Sequence, residues 1–179
     1  KGRHGSRRMR PIVALALFCD SVRRERGGSD TIVGVLPDNM NIKETPAILP
    51  RLSLYIRLQF DPDVDVNPVS LFLRTPDGEM ISLGVLAPEV FDRARRQAKE
   101  NAKPYAGMIA RTEMAPFQVI RPGRIDAIVK TATDEILAGH LTFKLSEESN
   151  SSPTEPPPPS SQSRGARKPI VKKLAPSRP

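Results

Sequence analysis

The chain has 179 residues, of which 38% are hydrophobic, and a formal net charge of +8 at pH 7. This length is typical of one domain of roughly 100 to 150 residues with appendages. The single cysteine excludes an internal disulfide, and no apolar run approaches the roughly 20 residues that a membrane-spanning helix needs.

The positive charge lies at the two ends of the chain. Residues 1–10 carry five basic residues and no acid, and residues 147–179 carry six basic and three acidic residues. Removing these from the totals of 28 basic and 20 acidic residues leaves 17 of each in residues 11–146. We therefore predict a neutral folded domain over residues 11–146, between a basic flexible leader and a disordered tail.

The first predicted elements are two strands. Residues 12–19 are apolar on both faces, which favours a fully buried strand, and residues 31–36 are rich in β-branched residues. A pair of glycines between them predicts a hairpin. A basic leader, an apolar run and Cys19 also have the outline of an export signal, but the bulky Phe18 before the cysteine argues against a lipoprotein.

Alternating apolar and polar residues predict the central strands. Residues 51–60 alternate strictly, as expected of a strand with one buried face, whereas residues 37–50 contain three prolines and are predicted to be irregular. Residues 69–73 and 81–85 continue the alternation on either side of Thr75-Pro76-Asp77-Gly78, a sequence that favours a tight hairpin turn.

Helical spacing replaces the alternation over residues 88–102, where a narrow apolar stripe predicts one short amphipathic helix at an edge or open end. Residues 107–120, 124–130 and 136–145 supply further strands. About eight strands at hairpin spacing with one short helix predict a mainly β protein, an antiparallel β-sandwich with disordered termini.

Serine and proline dominate residues 147–179, which therefore cannot bury enough apolar surface to fold. No aromatic residue is present to stack on bases, so the tail predicts only salt-sensitive contact with nucleic acid, an acidic partner or an anionic surface. A purely solubilising tail is the alternative. The basic residues in question are Arg164, Arg167, Lys168, Lys172, Lys173 and Arg178.

Few residues are candidates for catalysis. A cysteine hydrolase would need the thiolate of Cys19 activated by a histidine, and His140 is the histidine within the domain. Cys19 ends the most apolar strand, while His140 falls on the polar face of the last strand. We therefore predict a buried, inert thiol and no enzymatic activity. No phosphate-binding loop or transition-metal motif occurs, and no cofactor is predicted.

Acidic residues alternate in the stretch of residues 61–67. Asp61, Asp63 and Asp65 could converge oxygen atoms on a hard cation such as Ca²⁺. The helix-loop-helix calcium motif is absent, because Val66 stands where its glycine is required. These carboxylates carry an alternative hypothesis, a calcium-assisted sandwich that binds membranes or lipids. The other interpretation is a solvated turn between two strands.

The end of the first strand carries a resemblance to a known family. Phe18, Cys19 and Asp20 are followed by Arg23 in the loop, by glycines at positions 27 and 28, and by Gly34 in the second strand. In this pattern roughly the first third of the chain resembles a family of short bacterial and phage proteins of unknown function. The resemblance implies a small β-sandwich and carries no activity, cofactor or catalytic residue.

These observations together predict a non-enzymatic binding or structural module. Its partner is an unknown protein, with contact to nucleic acid or an acidic surface through the tail, and its expected location is the cytoplasm or a virion.

Overall fold

The computed structural model describes residues 12–146, which contain eleven strands and one helix. The predicted leader and tail, including all six basic tail residues, lie outside the described residues. In chain order the elements are β1 (Ile12–Arg24), β2 (Asp30–Val35), β3 (Asn39–Ile42), β4 (Ala47–Leu49), β5 (Leu52–Phe60), β6 (Val69–Arg74), β7 (Met80–Leu86), α1 (Pro88–Glu100), β8 (Ala106–Met114), β9 (Phe117–Val119), β10 (Gly123–Lys130) and β11 (Glu135–Leu145).

The strands form two main layers. Sheet A has the order β2-β1-β5-β8, sheet B has the order β3-β11-β10-β6-β7, and β4 pairs with β9 in a separate small sheet. The predicted class, mainly β with one helix, is confirmed for residues 12–146. The sandwich is not purely antiparallel, however, because β3 runs parallel to β11.

The hydrophobic core lies between these layers and follows the predicted alternation of β5. Leu52, Leu54, Ile56, Leu58 and Phe60 are at most 1% exposed. Successive side chains of a strand point to opposite faces, so Arg57 and Gln59 lie on the outer face of sheet A. Both predicted hairpins are confirmed, since β1 pairs with β2 and β6 pairs with β7.

The strand count was wrong in two segments. The connection predicted to be irregular contains β3 and β4, and the run predicted as one strand over residues 107–120 is divided into β8 and β9. Together these changes turn eight predicted strands into eleven. Both β3 and β4 pair with a single neighbour, a position at which prolines nearby cost no ladder hydrogen bond.

The faces of two strands also differ from the prediction. Val13 and Leu15 are 53% and 57% exposed, because sheet B covers only one face of β1. In β11, the alternation of residues 136–145 predicts Leu137 on the same face as Leu141 and Phe143, with Ala138 on the opposite face, but Leu137 is exposed and Ala138 is buried. The β10–β11 register shifts between Ala127 and Ile128, and such a bulge moves the side chains beyond it to the opposite face.

The single helix of the described region joins the two layers at their edges. It follows β7, the last strand of sheet B, and leads to β8, the last strand of sheet A. Phe91, Ala94 and Ala98 form its buried stripe, with the ring of Phe91 centred 5.3 Å from that of Phe60. This confirms an amphipathic helix at an edge. No helix within residues 12–146 has the length and apolar character that crossing a bilayer requires.

Candidate functional site

Cys19 is fully buried, as predicted, on the face of β1 that points away from the core. Its Sγ lies 3.7 Å from the carbonyl oxygen of Ser53, the residue opposite it in β5. Burial, and secondarily the negative charge of Asp20, raise the pKa of the thiol. A raised pKa lowers the thiolate population at neutral pH, so this environment disfavours a nucleophile.

His140 is exposed on the outer face of sheet B, directly opposite Asp126 in β10. The oxygens of Asp126 are already engaged, because Arg74 donates two hydrogen bonds to Oδ2 and Arg124 donates one to Oδ1. Cys19 and His140 therefore lie on the outward faces of different sheets. The structure does not bring together the two residues that a cysteine hydrolase would need, Cys19 and His140.

The acidic stretch of residues 61–67 holds the helix to the sandwich. Lys99 pairs with Asp63 at 2.8 Å, and Arg95 pairs with Asp65 at 2.9 Å. Arg95 also lies over the ring of Phe60, 5.9 Å from its centroid. Both carboxylates that face the helix are thus matched by helix cations.

The three aspartates do not form a common ligand set. Asp61 accepts a hydrogen bond from the backbone N–H of Asp63. Within the part of the chain that the structure describes, no group of three or more His, Cys, Asp or Glu side chains is placed to hold a metal ion. The geometry therefore favours the interpretation of these residues as a turn, and gives no support to a calcium-assisted lipid-binding site.

The edge of sheet B is a feature that the sequence prediction missed. Strand β7, Met80–Leu86, pairs with β6 on one side and with no described strand on the other. Its sequence MISLGVL contains no charged residue and no proline, and Val85 is 68% exposed. Edge strands in soluble proteins are normally protected by charges, prolines, bulges or cover, and of these β7 has only the bulge in its pairing with β6. The absence of charge in residues 80–86 was the signal available in the sequence.

A mostly apolar cavity of about 110 Å³ opens beside this edge strand. The turn before β7 and the loop after β9 meet at its rim, where Arg121 forms an ion pair with Asp77. Thr75 also lines the cavity, and its buried Oγ1 has no hydrogen-bond partner among the described residues. The apolar lining comes from Ile81, Phe117, Val119, Ile120, Ile125 and Phe143.

Comparison with known proteins matches residues 14–144 to the model of a family described as "Family of unknown function (DUF6941)". The match covers most of the chain and nearly all of the described sandwich. No curated protein matches the chain.

Proposed function

The chain belongs to the family of unknown function DUF6941, and from that premise we propose that it is a non-enzymatic binding and structural module that assembles with a second copy of itself through β7. The observation that carries the proposal is the uncharged, unpaired edge of sheet B. The separation of Cys19 and His140 supports a module without a cysteine-based active site.

The backbone chemistry of β7 favours strand addition. An edge strand presents a row of N–H and C=O groups that another strand can pair with, and seven residues without proline leave every such donor in place. The bulge opposite Leu71 and Phe72 interrupts this row only once. Main-chain pairing thus supplies affinity.

The cavity beside Ile81 provides room for a side chain from the added strand. An apolar cavity of about 150 Å³ binds benzene, so one of about 110 Å³ accommodates a smaller aliphatic group. Insertion of such a group would fill this cavity when β7 pairs with a second strand.

The absence of charge on β7 favours β7 of a second copy as the strand that pairs with it. In a two-fold contact residue i of one copy meets residue j of the other and j meets i, so the strand must be complementary to itself, and a charge near the axis would lie close to the like charge of the partner copy. Strand β7 carries none, and its exposed residues Met80, Ile81 and Val85 are apolar. A self-complementary edge with no repulsion is what homotypic assembly requires.

We predict that Val85→Lys weakens this assembly. A lysine on an edge strand blocks pairing by placing a solvated charge at the contact, and Val85 is exposed enough to be replaced without loss of folding. Sedimentation velocity of the full chain is expected to show a dimer for the unsubstituted protein. Val85→Lys is expected to raise the dimer dissociation constant by at least about tenfold, or 1.4 kcal/mol.

Val13→Lys provides the matched control, because it makes the same change at an exposed strand residue of sheet A. It is expected to leave the dissociation constant unchanged. A chain that remains monomeric at every concentration, or a dimer that Val13→Lys weakens as much as Val85→Lys does, would overturn the proposed assembly.

The proposal has two further parts, a biological context and a role for the basic tail, and the tail lies outside the described residues. The resemblance of the first third of the chain to short bacterial and phage proteins supports a phage- or prophage-related role in the cytoplasm or a virion. The surplus of six basic over three acidic residues in residues 147–179 supports tethering to a polyanion. Removal of residues 162–179 is expected to abolish salt-sensitive binding to single-stranded DNA.

A further inference from the structure

A second cavity, of about 230 Å³, lies on the outer face of sheet A where β5, the end of α1 and the start of β8 meet. We refer to it as the donor pocket. Its polar lining residues all carry hydrogen-bond donors, and no Asp or Glu lines it. These residues are Arg57, Gln59, Gln97, Lys103 and Tyr105.

The two cations of the donor pocket, Arg57 and Lys103, have no carboxylate within ion-pair distance among residues 12–146. Other exposed cations of the described sandwich, Lys144 among them, are unpaired as well, so the feature of this site is that two such cations share one concavity. Two positive charges and two amide side chains therefore line one concavity in a domain that is otherwise balanced in charge.

Apolar residues flank Arg57 on the same face of the sheet. Leu15 of β1 and Ile109 of β8 are its direct cross-strand neighbours. Directly opposed side chains have Cβ atoms about 5 Å apart, so all three present one continuous surface. Leu15 and Ile109 are both exposed. The surface next to the donor pocket is thus suited to an apolar group.

We propose that the donor pocket binds a phosphate monoester whose organic part is apolar and rests on Leu15 and Ile109. A phosphate monoester carries a charge of about −1.5 to −2 near neutral pH, which matches two cations better than a carboxylate does. The planar guanidinium of Arg57 can donate two parallel hydrogen bonds to phosphate oxygens, and Lys103 adds a point charge. The site is separate from β7 and does not depend on the assembly proposed above.

The test uses phenyl phosphate, benzoate and inorganic phosphate as probes of the full chain. Titrations followed by the amide NMR signal of Gly107, which lines the donor pocket, are expected to show saturable binding of phenyl phosphate. Benzoate tests the need for a doubly charged group, and inorganic phosphate tests the need for an apolar body. Both are expected to bind at least about tenfold more weakly than phenyl phosphate.

The variants Arg57→Gln and Lys103→Gln are each expected to weaken phenyl phosphate binding at least about tenfold, since each loses a positive charge and its charge-assisted hydrogen bond to the phosphate. Lys144→Gln removes the same charge from an exposed residue of sheet B and is expected to change nothing. Unaltered binding by Arg57→Gln, or equal weakening by Lys144→Gln, would refute the site. If inorganic phosphate binds as tightly as phenyl phosphate, the proposed contact of an apolar group with Leu15 and Ile109 is refuted.

Discussion

Cys19 shows how strongly one residue's surroundings set its chemistry. It lies on the outward face of β1, the same face on which Val13 and Leu15 are exposed, yet none of its own surface is accessible. Its neighbour across the sheet, Ser53, is also buried, and the Oγ of Ser53 donates a hydrogen bond to the carbonyl oxygen of Asp20. The thiol of Cys19 and the hydroxyl of Ser53 therefore both contact backbone carbonyl oxygens, and neither is hydrogen-bonded to a described side chain that could act as a base.

We predict that the folded chain resists alkylation at Cys19. Only the thiolate reacts, and burial raises the pKa of the thiol, so folding lowers both the reactive population and its access to reagent. Iodoacetamide labelling near neutral pH, measured by mass spectrometry, is expected to be at least about a hundredfold slower than for the chain unfolded in guanidinium chloride. Equal rates in the two states would indicate an activated, accessible thiol.

The burial of Cys19 was predicted correctly but for an incomplete reason. The apolar run of residues 12–19 indicated a strand covered on both faces, whereas the inward residues Ile12, Ala16 and Phe18 are buried and the outward Val13 and Leu15 are exposed. Asp30 and Arg111 form an ion pair between β2 and β8, the opposite edges of sheet A. In a flat sheet β2 and β8 would lie about 14 Å apart, which is three inter-strand spacings. The ion pair therefore indicates that sheet A bends. The residue pattern along one strand carries no information about such bending.

The helix α1 combines a narrow buried stripe with ion pairs to a neighbouring loop. Its buried stripe of one phenylalanine and two alanines is narrow, and Arg95 and Lys99 bind the carboxylates of residues 61–67. The sequence showed both the helix and the acids, but Arg95 and Asp65 are 30 residues apart in the chain. Local patterns predict elements well, as with the Thr75–Gly78 turn, and do not predict which elements meet.

The contact between Asp65 and α1 predicts a specific acid sensitivity. The backbone N–H of Asn67, and then Arg95, lower the pKa of Asp65 below its usual range. A carboxyl whose pKa is lower in the folded state stabilises the fold above its unfolded pKa of about 3.9, and that contribution is lost as the pH falls through the folded value. The melting temperature of the Asp65→Asn variant is therefore expected to fall less than that of the unsubstituted chain when the pH is lowered from ~6 to ~3.

Asp38→Asn is the control for this experiment, because Asp38 is exposed and its side chain makes no ion pair within the described residues. It is expected to retain the full acid sensitivity of the unsubstituted chain. If Asp65→Asn shows the same loss of melting temperature as Asp38→Asn, Asp65 does not anchor the helix.

At the scale of the whole molecule, the two main sheets of the described domain approach each other closely at small residues. Strand β1 packs against β11, where Gly139 meets the backbone of Ala16. The composition and the alternation of β5 were sufficient to predict the two layers and their core. The point of closest approach was not predictable, because a glycine in a strand is equally typical of a bulge, a bend or a close contact.

That contact predicts a large effect from one methyl group. A Cβ at residue 139 would lie 2.5 Å from the carbonyl oxygen of Ala16, a backbone atom that moves only if the layers separate. Gly139→Ala is expected to lower the free energy of unfolding by about 2 kcal/mol in urea denaturation, within the range for overpacked cores.

Gly107→Ala is the matched control, since its Cβ would meet the nearest atom, the carbonyl oxygen of Leu58, at an ordinary 3.8 Å. It is expected to change stability by less than about 0.5 kcal/mol. Adding Ala16→Gly to the Gly139→Ala chain is expected not to restore stability, because the obstructing atom is an oxygen of the backbone and not the Ala16 methyl group. A Gly139→Ala chain as stable as the unsubstituted one would mean that β1 and β11 are farther apart than this packing requires.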